Sequence, residues 1–129
     1  MKKTAKVFDI IAVALYAVGV IAVIILFIVG NSLIPNVIEY LKNSGAEIPA
    51  DVPIETYAGI VLNTALASWL ICELVGIGLA IPALITVFKG GSSKAPHIMM
   101  IVGGAIAGGI FGIAGGILGL VYLHNNESF

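Results

Sequence analysis

Four glycines, Gly104, Gly108, Gly112 and Gly116, recur at every fourth position inside an apolar run, and eight of the chain's sixteen glycines fall between Gly103 and Gly119. On a helix this spacing lays a smooth strip along one side. In water each glycine would cost a helix about 1 kcal/mol relative to alanine. In a bilayer the same strip admits a neighbouring backbone, and close packing with Cα–H···O contacts offsets that cost. The pattern constrains the chain to tight helix packing in an apolar medium. It names no chemistry.

Composition points the same way. Of 129 residues, 60% are hydrophobic and 10% charged, and mean hydropathy is +1.13. A soluble domain carries about a quarter charged residues, and a chain this short has too much surface for its volume to hide so much apolar area. The expected class is an all-α integral membrane protein. A net charge of −1 and the absence of arginine leave no electrostatic basis for nucleic acid and no bidentate reader of phosphate. Cys72 is the only cysteine, so no disulfide forms within the chain and the redox compartment is not encoded.

Three apolar segments stand out. The first, at about 10–29, is twenty residues without a charge, the length that crosses a hydrocarbon core of roughly 30 Å. The second, at about 57–88, is broken by one charge, Glu73; the third, at about 97–123, is the glycine-rich run. The chain reads as one membrane domain, a three-helix transmembrane bundle with an outer connection at 31–56 and an inner loop at 89–96. Two alternatives compete. The second segment would be a tight hairpin, but no turn signal divides it, and tilt or a kink near Pro82 absorbs its excess length. The third would be a re-entrant hairpin, since glycine favours turns, but its strict four-residue spacing favours one helix. The basic-then-apolar N-terminus is expected to be a retained anchor, because no A-x-A cleavage pattern follows the run.

Charge sets the expected orientation. Lys2, Lys3, Lys6, Lys89 and Lys94 fall on one side of three spans, while the outer connection carries Glu39, Glu47, Asp51 and Glu55 against Lys42. The positive-inside rule places the N-terminus and the KGGSSK loop in the cytoplasm, with the acidic connection and the C-terminus outside, in a multi-pass protein of the cell membrane. Within the connection, Ser32 or Asn31 would cap a helix with Pro35 in its first turn. Ile34, Val37, Ile38 and Leu41 share one face, and Gly45 supplies the stop. This short amphipathic extracellular helix would lie on the membrane or cap the bundle; Pro49 and Pro53 then favour an extended tether.

Glu73 is the most informative residue outside the glycines. A carboxylate in mid-membrane is costly by several kcal/mol, so it is neutral, paired or facing water. It fits either a hydrogen-bonded helix clasp or a proton or cation site, and no lysine or histidine shares its depth in a three-span reading. Thr64, Ser68, Cys72, Gly76 and Ala80 form a small-residue stripe beside it. The candidate packing residues are therefore Ser68, Cys72, Gly76 and Ala80 on the second helix, against Gly104, Gly108, Gly112 and Gly116 on the third. A second smooth face, Gly103, Ala107, Gly115 and Gly119, leaves room for a partner chain.

His97 and His124 sit at opposite ends of the third segment and read as interfacial anchors rather than metal ligands. Tyr40, Tyr57 and Tyr122 suit the outer interface and Phe8 and Phe88 the inner one. No nucleophile with base and orienter, phosphate loop or carboxylate pair in a polar setting occurs. The expectation is a non-enzymatic accessory subunit, without cofactor or metal. It would be held in the lipid bilayer and bind another membrane protein, or itself, through glycine-rich helix faces. The alternative is an oligomeric pore or an ion- or proton-coupled carrier using Glu73.

The opening KKTAKVFDIIA, the acidic connection, the run LVGIGLAIPALITVFKG and the closing GIFGIAGGILGLVYL together resemble a group of small uncharacterised membrane proteins common in Gram-positive bacteria, a domain-of-unknown-function family. The likeness spans most of the chain and consists of apolar and glycine patterns. Members of that family end in a basic cytoplasmic tail, which implies an even number of spans, whereas this chain ends HNNESF without a lysine. The resemblance implies no activity and transfers no functional residue.

Overall fold

The computed structural model describes residues 2–45, 47–48 and 50–129, and these form helices and short connections with no strand among them. The helices are α1 (Lys2–Ile28), α2 (Gly30–Ser44), α3 (Ile54–Lys89), α4 (Ala95–Ala107) and α5 (Ile110–Asn126). Two of them, α1 and α3, are long and apolar enough to cross a membrane. The stretches ending at Val20 and beginning at Ile71 form one compact unit, and Ile21–Leu70 forms a second.

The second apolar segment is one continuous helix, α3, which runs through Pro82. Downstream of the proline, the Thr86 hydroxyl donates to the Pro82 carbonyl at 2.9 Å. The expected single helix at 97–123 is corrected to two. Gly108 adopts a left-handed conformation (φ 72°), which ends α4; only glycine enters that region without a Cβ penalty. The Gly108 N–H turns back to the Gly104 carbonyl, and Gly109 N–H reaches the same oxygen at 2.8 Å. After the extended Gly109, α5 begins and runs antiparallel to α4. A methyl on Gly104 would meet Ile113 at 2.9 Å, and one on Gly116 would meet the His97 carbonyl at 2.7 Å. The three-helix bundle is therefore replaced by two long helices, a connecting helix and a helical hairpin. The glycine strip packs, but against itself.

Folding back also corrects which residues share an end. Phe129 N–H donates to the Gly91 carbonyl at 2.9 Å, its ring lies 4.5 Å from that of Tyr122 and 5.0 Å from His97, and Lys6 Nζ sits 4.9 Å over the Phe88 ring. The C-terminus, Tyr122 and the loop after Lys89 thus lie together, where a third span would have put the C-terminus and Tyr122 at the far end. His97 and His124 come to the same end for the same reason, His97 buried and His124 exposed.

In the second unit, α2 starts earlier than the expected cap. Its N-cap is Val29, with no side-chain cap; Ser32 Oγ instead donates to the Val29 carbonyl at 2.6 Å. Pro35 thus falls past the first turn, and the helix ends at Gly45 in a left-handed conformation. Leu33, Val37 and Tyr40 share a shallow surface pocket with Val61, Leu62 and Ala65 of α3, so part of the apolar face of α2 turns to α3. Pro49 lies outside the described residues.

Candidate functional site

In the first unit the buried residues of α1 are Ala5, Asp9, Ala12 and Tyr16. Steps of three and four residues keep them on one helical face. Small Ala5 and Ala12 bring neighbouring backbones close, and the two polar residues between and beyond them are carried inward. Asp9 is wholly buried and Tyr16 is 3% exposed.

Each polar side chain stands where a glycine leaves room. Asp9 Oδ1 occupies the space a methyl on Gly115 would take, and the Tyr16 hydroxyl that of methyls on Gly109 and Gly112. The imidazole of His97, fully buried on α4, fills the space of a methyl on Gly119. The Glu73 carboxyl, on α3, lies against Gly19 of α1, where a methyl would come within 2.9 Å of it. The face of α5 read as a smooth packing strip is thus the floor of a polar row: Tyr16, Asp9 and His97 follow one another along it toward the end that carries Phe129. Both Asp9 carboxyl oxygens, the Tyr16 hydroxyl and both His97 ring nitrogens are buried without a hydrogen-bond partner among the described residues. Such groups are costly to bury and occur seldom in folded proteins.

At the hairpin tip the row opens. Glu73, Tyr16 and Leu15 face Ala107, Gly108, Gly109, Ile110 and Phe111 across an open groove of about 280 Å³. The Phe111 ring is held edge-on against Phe8, with centroids 5.7 Å apart.

The candidate packing residues fall in several places. Gly76 meets the hairpin: a methyl there would approach Ala107 Cβ at 2.8 Å, and one on Gly103 would approach Leu79 Cβ at 2.9 Å and the Gly76 carbonyl at 3.3 Å. This reciprocal approach of backbones is the geometry of Cα–H···O contacts. Ala80 is buried, Cys72 half-buried and Ser68 exposed. The buried face of α3 runs Glu73, Gly76, Ala80, Ala83, Val87, alternating steps of three and four. A strict four-residue row drifts about 40° per step at 3.6 residues per turn, which carries Ser68 off that face. Gly104, Gly112 and Gly116 lie inside the hairpin, Gly115 and Gly119 under Asp9 and His97, and Gly108 at the turn.

Asp9 and His97 are the residues that sequence reading passed over. Asp9 lies just before the charge-free run and carries no reading from the sequence, yet its register with Ala5, Ala12 and Tyr16 places it on the inner face. His97 looked like an anchor because a continuous third helix would end there.

No family model, curated protein or solved structure matches this chain.

Proposed function

We propose that the chain is an integral, multi-pass membrane protein that handles protons or cations as an ion- or proton-coupled carrier, with Glu73 at its access groove. One observation carries the reading: the first unit buries ionisable side chains within its small-residue core and exposes large apolar ones. Asp9, Glu73, His97 and Tyr16 are buried, while Ile10, Leu15, Val18, Ile71, Leu74, Ile81 and Ile85 are exposed. Water would favour the reverse, whereas a bilayer favours this distribution. Ionisable groups inside a membrane mark ion and proton paths more often than they mark packing.

The hairpin supports the same reading. Helices of 13 and 17 residues measure about 20 and 26 Å, short of a roughly 30 Å core, so the hairpin enters and returns. Irregular backbone at such depth is tolerated only inside protein or along a polar cavity, and Gly108 and Gly109 line the groove. Lys2, Lys3, Lys6, Lys89 and Lys94 place the N-terminus, the loop after Lys89 and the adjoining C-terminus in the cytoplasm.

The accessory-subunit reading draws less support. It needs a smooth face left for a partner, and Gly76, Gly103, Gly104, Gly112, Gly115, Gly116 and Gly119 all meet neighbours within the chain.

The test is flux in liposomes under a pH or sodium gradient. Wild-type protein should carry protons or a cation; Glu73→Gln and Asp9→Asn should insert and fold but lose flux at least tenfold. A wild-type protein that is silent under both gradients removes the carrier reading.

A further inference from the structure

The geometry points to the groove at the hairpin tip as a binding site for a monovalent lipophilic organic cation, an ammonium bearing apolar arms. The proposal rests on the carrier reading and names its substrate class. Among the described residues, Glu73 is the only formally charged one lining the groove, and no lysine or histidine lines it. The C-terminus of α4 and the N-terminus of α5 meet at the tip, so their end dipoles oppose each other and leave the carboxylate to set the sign.

Tyr16 supplies the second observation. Its hydroxyl is buried, lacks a hydrogen-bond partner among the described residues, and belongs to the groove lining. A buried phenol hydroxyl beside a carboxylate in an apolar wall suits a weakly hydrated ammonium, whose charge is met by the carboxylate and by an exposed ring face. Phe111, held by Phe8, supplies that ring, and Leu15 and Ile110 receive apolar arms.

A bare inorganic cation fits less well, because it requires several oxygen ligands and these side chains offer two groups. The open groove of about 280 Å³ has room for a small organic cation, an ammonium with one ring.

Benzyltrimethylammonium is the probe, titrated by calorimetry into purified protein in detergent, with neopentylbenzene as its uncharged isostere. Wild-type protein should bind the cation saturably at one per chain. Glu73→Gln should weaken binding tenfold or more and Tyr16→Phe several-fold, with helical content unchanged, and the neutral isostere should not displace the cation. Ile110→Trp guards against misfolding of the carboxylate variant. Ile110 is 80% exposed, so an indole there obstructs the groove without entering the core, and binding should be lost.

Absence of saturable binding by the wild type, equal affinity in Glu73→Gln, undiminished binding in Ile110→Trp, or displacement by neopentylbenzene would each overturn the site. Saturable, Glu73-dependent binding, with no flux in liposomes under either gradient even when benzyltrimethylammonium is supplied on one side, supports the site and removes the carrier reading. Proton flux without such binding overturns the site and leaves the carrier.

Discussion

A methyl group on Gly115 would run into the Asp9 carboxyl and one on Gly119 into the His97 ring, whereas one on Gly78 would meet nothing within 4 Å. The glycines of this chain therefore divide by what stands over them. Gly115→Ala and Gly119→Ala force buried polar side chains to move and should each destabilise the fold by roughly 1–3 kcal/mol, the range for overpacking. Gly78→Ala, in an open stretch of α3, should be neutral or stabilising by up to about 1 kcal/mol through helix propensity. Thermal unfolding in detergent, followed by circular dichroism, ranks the three. Equal melting temperatures would show that Asp9 and His97 do not occupy these glycines. Asp9 illustrates what a single residue hides: its identity is plain in the sequence, but its burial depends on α5 folding back over it.

Among the elements, α3 was the most legible. A segment expected at 57–88 is a helix at Ile54–Lys89, because its length, apolarity and lack of turn signals are all local properties. The stop at Gly45 was legible for the same reason. The hairpin was not. Four-residue glycine spacing is compatible with one helix packing on a neighbour or with two halves packing on each other, and only Gly108, at φ 72°, distinguishes them. Gly108→Val should cost at least about 1–2 kcal/mol, the penalty of left-handed backbone for a residue with a Cβ, and Gly108→Asn less, since asparagine visits that region. A cross-link tests the hairpin directly. Ile98 and Val121 line one surface pocket, but a continuous helix would hold them about 35 Å apart. In a Cys72→Ser background, Ile98→Cys with Val121→Cys should be joined within one chain by a short bis-maleimide. Cross-links only between chains would restore the continuous helix.

At the scale of the whole molecule, the hairpin changes the parity of the fold. An odd number of crossings separates the C-terminus from the loop after Lys89, while a hairpin returns it there, consistent with the bond from Phe129 N–H to the Gly91 carbonyl. Single cysteines at Ser92 and Ser128, in the Cys72→Ser background, should react with an impermeant maleimide from the same side of sealed vesicles; labelling from opposite sides would sink the hairpin topology. The sequence by itself determined the helical class, the two long apolar helices and the demand for close backbone packing, because hydropathy, run length and glycine propensity act over a few turns of chain. Only the tertiary structure decided which surface meets the glycines. A smooth strip accepts any neighbour that fits, including its own other half and the side chains of Asp9, Tyr16 and His97. That choice rests on contacts between segments up to about a hundred residues apart, which no local pattern records.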